Sequence, residues 1–210
     1  MPGMSHPSVR RTLAGVLHRG ARTFDRIAAT VRPPRRVLVL GGARSGKSRH
    51  AERLLARYPE VVYVATGNAP CPEDAEWAER VRLHQRRRPA QWRTVETGDA
   101  AAALREAQGP VLLDCLATWI TRVLDDAGAW DEAAGWQQRV EHEVSALLAA
   151  WRETQGPVVA VSNEVGSGVV PATPAGRLFR DVLGSLNSRI AEESDSVLLV
   201  VAGRALELAR

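Results

Sequence analysis

Eight consecutive residues, Gly41-Gly42-Ala43-Arg44-Ser45-Gly46-Lys47-Ser48, constrain this chain more than any other stretch, because they satisfy the spacing G-x-x-x-x-G-K-[ST] without a mismatch. The apolar run Val37-Leu38-Val39-Leu40 precedes them, and a helix-forming stretch from Arg49 to Arg57 follows. Strand, loop and helix in that order make a phosphate-binding loop, in which successive backbone N–H groups turn inward toward an anion. The start of the following helix adds the positive end of its dipole. Lys47 is expected to reach the β- and γ-phosphates and the Ser48 hydroxyl to ligate Mg²⁺. Lys47 is also the only lysine of the chain; the other 27 of its 28 basic residues are arginines. A compact ammonium on a flexible stem fits between phosphates where a planar guanidinium fits badly.

The rest of the chain reads as an α/β domain built on that unit. Short valine-rich runs at 37–40, 61–65, 111–113, 158–161 and 197–201 alternate with helical stretches at about 47–57, 73–84, 99–107, 116–125, 131–154 and 175–193. Continuous apolar strands of this kind belong to parallel sheets covered on both faces by helices. Ligands in such sheets collect beyond the carboxyl ends of the strands. That makes the residues just after each strand the candidates.

Val111-Leu112-Leu113-Asp114 is an apolar strand ending in a carboxylate, which places Asp114 as a Mg²⁺ partner, directly or through water. The alternative, an aspartate that caps the next helix, carries less weight beside so complete a phosphate loop. Thr66-Gly67 follows the second strand and is either a nucleotide contact or a plain turn. Asn163 and Glu164 open a loop with two glycines after the fourth strand, and spacing leaves two readings open. They orient a hydroxyl or a metal-bound water, or they begin a flexible connection. His84 stands near the end of a helix that Pro89 must terminate, among Arg80, Arg82, Arg86, Arg87 and Arg88. Cationic neighbours favour the neutral imidazole, whose lone pair can attack phosphorus. The alternative is an exposed histidine in a solvated basic turn.

Charge is unevenly placed. Residues 1–36 hold eight arginines against Asp25, a net +7, so the remainder carries 4 − 7 = −3. The basic balance therefore belongs to an appended arm, 1–36, and the domain is expected over 37–210. The arm is read as a flexible tail, with a helix on an anionic surface or an organelle presequence as alternatives. Nucleic acid is not expected as a partner. Cys71 and Cys115 form no motif, and no apolar run has membrane-spanning length, so a cytoplasmic protein is expected.

In combination the motifs are specific. The ordered set runs from the phosphate loop through Tyr63-Val64-Ala65-Thr66, Asp74, Glu76, Arg80-Val81, His84, Arg88-Pro89, Trp92, Thr94 and Glu96. It continues with Asp114-Cys115-Leu116, Trp119, Asn163-Glu164-Val165-Gly166, Gly168, Arg180-Asp181, Gly184, Leu186-Asn187, Ala191, Asp195 and Gly203. Over about 37–208 the chain resembles the adenosylcobinamide kinase/adenosylcobinamide-phosphate guanylyltransferase family of cobalamin biosynthesis. The resemblance implies a bifunctional enzyme with a RecA-like P-loop fold, assembled as a homotrimer. One activity moves a γ-phosphoryl group from a nucleoside triphosphate, ATP or GTP, to the hydroxyl of adenosylcobinamide. The other transfers GMP from GTP, through a guanylyl-histidine that falls on His84, to adenosylcobinamide phosphate. Thr66, Arg88 and Glu96 then join residues 41–48 as nucleotide-binding candidates, with Mg²⁺ held by Ser48 and Asp114. Ser188, Ala205 and Trp77 depart from the family's usual glutamine, proline and methionine. Two other readings compete: a monofunctional small-molecule kinase with His84 on the surface, and a P-loop ATPase binding module that uses its basic arm.

Overall fold

The computed structural model describes residues 34–67 and 75–209. The sheet has seven strands. In chain order they are β1 (Arg36–Gly41), β2 (Val62–Ala65), β3 (Arg93–Glu96), β4 (Val111–Asp114), β5 (Val158–Asn163), β6 (Ser196–Val201) and β7 (Arg204–Leu208). Their order in space is β3-β2-β4-β5-β1-β6-β7, with every pairing parallel except that of β6 with β7. The helices are α1 (Lys47–Leu55), α2 (Ala75–Arg87), α3 (Ala100–Glu106), α4 (Leu116–Asp126), α5 (Trp136–Glu153) and α6 (Pro174–Glu192).

The valine-rich runs form the middle of the sheet because they are apolar on both sides. Val37 to Leu40 and Val158 to Val161 are all buried. Alternate side chains point to opposite faces. One face, with Leu38, Val64, Leu113 and Ala160, packs against Leu104 of α3, Trp119 and Ile120 of α4, Leu147 and Trp151 of α5, and Leu183 of α6. The other, with Val39, Tyr63, Leu112 and Val161, packs against Ala51 and Leu55 of α1 and against Trp92. Helices thus cover both faces, with the larger core on the α3–α6 side.

Five strands expected from apolar runs are present; β3 and β7 come in addition. Both are edge strands, and β3 (Arg-Thr-Val-Glu) has no apolar run to reveal it. β7 returns from β6 through the two-residue turn Ala202-Gly203, both at positive φ (50° and 77°), as a tight hairpin requires. α5 starts at Trp136, later than the 131 expected from periodicity. A short 3₁₀ turn, Ala129–Asp131, comes first, and Gly135 at φ 77° begins the helix.

The arm expected over 1–36 lies outside the described residues up to 33. Arg35 and Arg36 belong instead to the sheet unit: both backbone N–H groups donate to Asp195 Oδ2 at 2.9 Å, and the Arg36 guanidinium donates to Oδ1 at 3.2 Å. Desolvation acts to raise the Asp195 pKa, but those bonds outweigh it and hold the carboxyl below its usual range.

Candidate phosphate-transfer site at the carboxyl edge of the sheet

β1 runs straight into the glycine loop. Gly41 is extended backbone, and its missing side chain is a matter of space: a Cβ there would lie 2.5 Å from Ser45 Oγ and 2.7 Å from the Val200 carbonyl oxygen. Arg44 (φ 57°) and Gly46 (φ 92°) take left-handed conformations that curl the loop. Gly46 begins α1 without a side-chain cap, and no acidic residue occupies the first turn. The helix start is therefore suited to an anion. Gly42, Ala43 and Arg44 are exposed, so the loop opens to solvent. Lys47 is buried, and its Nζ donates to the Gly42 carbonyl at 3.1 Å, which lays the ammonium across the loop.

The hairpin tip braces this loop from one side. Gly203 N donates to the Ser45 carbonyl at 2.8 Å, and a Cβ on Gly46 would stand 3.4 Å from Gly203 Cα. Nothing in the loop motif announces this partner, since it comes from a turn more than 150 residues later.

β4 delivers Asp114 to the same edge. Its Oδ1 accepts from Ser48 Oγ at 3.5 Å and its Oδ2 from the Tyr63 hydroxyl at 2.7 Å. Burial, and then the Asp114 charge, push the Tyr63 pKa well above its ordinary value, with the Arg88 charge opposing; the phenol stays protonated and acts as donor. The Arg88 guanidinium lies 3.3 Å from the centroid of the Tyr63 ring and donates to Thr94 Oγ1 at 3.2 Å. Arg88, expected as a nucleotide ligand, thus sits one side chain removed from Asp114.

β5 lies between β1 and β4, which puts its end between the loop and Asp114. Asn163 is in register with Gly41, and Val161 with Asp114. Asn187 of α6 fixes that end: it accepts from Ser162 Oγ at 2.6 Å and donates to the Asn163 carbonyl at 3.0 Å. The Glu164 carboxylate folds back onto its own loop, accepting from Gly166 N at 2.6 Å and Ser167 N at 3.0 Å. Its present role is to shape the rim.

Thr66, expected as a nucleotide contact or a plain turn, is bonded to the turn that follows β4. The residue is 1 % exposed, and its hydroxyl donates to the Cys115 carbonyl at 2.7 Å and accepts from Cys115 N at 3.1 Å, so it clamps the turn between β4 and α4. The Asp114–Cys115 peptide in that turn is cis. Glu96 ends β3, exposed and in register with Ala65. Four strand spacings separate β3 from β1, about 19 Å, so Glu96 is far from the loop. His84 lies in the last turn of α2, four residues before Arg88.

Ser48 and Asp114 offer two hard oxygen donors. Among the described residues no group of three or more His, Cys, Asp or Glu side chains could hold a metal. A cation kept by one or two protein oxygens, with phosphates and water completing its shell, suits Mg²⁺ and not a site built wholly of protein ligands.

Comparison with known proteins agrees with this geometry. The family model described as cobinamide kinase / cobinamide phosphate guanyltransferase matches residues 37–208. The bifunctional adenosylcobalamin biosynthesis protein CobU of Salmonella typhimurium is 41% identical over 177 residues, covering 80% of this chain and 96% of that protein. The corresponding CobP of Pseudomonas aeruginosa is 44% identical over 180 residues, covering 82% and 96%. Among solved structures, an ATPase of a bacterial type III secretion system superposes with a TM-score of 0.52 at 12% identity, over 82% of this chain. The match spans 56% of that ATPase, and the likeness is one of fold: an α/β, RecA-like P-loop sheet.

Proposed function

The chain belongs to the cobinamide kinase / cobinamide phosphate guanyltransferase family, and from that premise we propose how its residues divide the two reactions. In the first, the adenosylcobinamide hydroxyl oxygen attacks the γ-phosphorus of ATP or GTP, loses its proton, and the nucleoside diphosphate leaves. The backbone of residues 41–48 and the Lys47 ammonium hold the phosphates and neutralise the charge that develops on their oxygens. Ser48 and Asp114 would hold Mg²⁺, whose charge would offset the negative charge that develops on the phosphate oxygens. Asn163, between loop and carboxylate, is the group suited to orienting the substrate hydroxyl; Glu164 shapes the rim beside it.

In the second reaction a His84 ring nitrogen attacks the α-phosphorus of GTP, and pyrophosphate leaves. The phosphate oxygen of adenosylcobinamide phosphate then displaces the histidine, giving adenosylcobinamide-GDP and restoring the imidazole. Arg88 and Glu96, which follow α2 in the chain, are the candidates for holding the guanylyl group. What supports the first half is the convergence of the phosphate loop, Asp114 and Asn163 on one sheet edge. The second half rests on the family match running through His84. The family resemblance further suggests a cytoplasmic homotrimer, which light scattering would read as three chain masses.

Incubation with GTP labelled at the α-phosphate should leave a protein-bound label stable to alkali and lost in mild acid. His84→Ala should carry none. A label persisting on that variant overturns the assignment of His84, and the monofunctional kinase then becomes the better reading.

A further inference from the structure

Beside Asp114 lies the phenol of Tyr63. β2 and β4 pair with Tyr63 opposite Leu112 and Ala65 opposite Asp114. Residues two apart on a strand share a face, so Tyr63 and Asp114 project to the same side of the sheet. The tyrosine reaches across one strand and two residues along, toward the carboxyl edge. Its side chain is almost wholly buried, with the residue 1 % exposed.

The two carboxylate oxygens of Asp114 therefore have separate duties. Oδ2 accepts from the Tyr63 hydroxyl at 2.7 Å, and Oδ1 faces Ser48 Oγ at 3.5 Å. Rotation of a carboxylate about its last torsion is soft. A short hydrogen bond to one oxygen from a buried, rigid donor removes that freedom and sets the plane of the other. The donor is itself held. The Arg88 guanidinium covers its ring at 3.3 Å and is tied to Thr94 on β3.

We propose that Tyr63 is a positioning residue of the phosphoryl-transfer site: its hydroxyl fixes the Asp114 carboxylate so that Oδ1 is presented beside Ser48 to the nucleotide-bound cation, with Arg88 holding the ring in place. The inference rests on the reading of Asp114 as the cation's carboxylate. Partners behind metal ligands commonly change metal affinity ten- to a hundredfold when removed.

The test measures binding. Mn²⁺ affinity of the full chain in complex with a non-hydrolysable ATP analogue is read by electron paramagnetic resonance, alongside analogue affinity in EDTA. Tyr63→Phe keeps the ring and the Arg88 contact and removes the O–H. It should weaken Mn²⁺ binding by about tenfold or more, with metal-free analogue affinity unchanged. Asp114→Asn should also weaken it, and Tyr63→Phe should add nothing on that background, because the two act as one unit. Arg88→Gln, which keeps the hydroxyl, should weaken it in the same direction by roughly two- to fivefold, the range of a cation–π contact. It keeps the proposal testable if the phenylalanine variant folds poorly. Weakened binding in Asp114→Asn with normal binding in Tyr63→Phe overturns the role of Tyr63 alone. Normal binding in Asp114→Asn overturns the reading of Asp114, and this proposal with it.

Discussion

Replacing Gly41 by alanine adds one methyl group at the junction of β1 and the phosphate loop. Two atoms stand in its way, and they differ in how far they can yield. Ser45 Oγ, 2.5 Å from the new carbon, is a side-chain hydroxyl that can rotate aside. The Val200 carbonyl, at 2.7 Å, is backbone in β6, where Val200 pairs in register with Gly41, so it moves only by distorting the sheet. Overpacking of this kind costs about 1–3 kcal/mol. Taking about 2 kcal/mol, and roughly 2–4 °C of melting temperature per kcal/mol in a chain of this size, Gly41→Ala should melt about 4–8 °C below the wild type. The loop should suffer as well, since Ser45 Oγ is the acceptor for Lys47 N. At a nucleotide concentration of 100 Kd the wild type gains about 2.7 kcal/mol of stability. A tenfold loss of affinity reduces that gain to about 1.4 kcal/mol at the same concentration. Gly42→Ala is the control, because a Cβ there meets nothing within 4 Å; it should melt with the wild type. Thermal melts of the three proteins with and without MgATP check both effects. The packing argument fails if Gly41→Ala melts with the wild type and keeps the full nucleotide gain, or if Gly42→Ala is equally damaged.

Thr66→Val deletes the hydroxyl that serves both the N–H and the carbonyl of Cys115, and should cost about 1–3 kcal/mol in denaturant unfolding, the range for stranding a buried polar group. Ala202→Asn should raise stability by up to about 1 kcal/mol, since Ala202 holds φ 50° in the hairpin turn where asparagine is better tolerated; a lowered melting temperature would contradict the turn geometry. The Glu141 carboxylate receives two 2.8 Å bonds from Arg189, which with Ser145 lower its pKa to about 2. Its folded value lies below the unfolded one, so its contribution is present above about pH 4.5 and lost as pH falls toward 2. Solvent screens the pair, with Glu141 exposed and Arg189 partly so, and Glu141→Gln should therefore cost under about 1 kcal/mol at neutral pH and nothing once the pH is well below 2.

What could be read from the residues divides along a physical line. The phosphate loop is contiguous, and its glycines, lysine and serine act through spacing within eight residues. The central strands are buried on both faces, so their apolar runs announce themselves. β3 and β7 do not, because an edge strand such as Arg-Thr-Val-Glu is selected by its neighbour's free backbone groups and not by its own side chains. The same holds for the groups that make the site. The clamp that Thr66 makes is invisible in the chain, because only the pairing of β2 with β4 puts its hydroxyl on the Cys115 peptide. Tyr63 was visible only as part of a matching pattern, since its bond to Asp114 spans 51 positions and depends on register. Most consequential is the insertion of β5 between β1 and β4. Chain order puts Asn163 about fifty residues beyond Asp114 and more than a hundred beyond the loop, whereas the sheet seats it between them. A parallel sheet can reorder its strands without altering their local sequence, so periodicity has no access to that order. The three groups share one sheet edge only through the way the strands are shuffled.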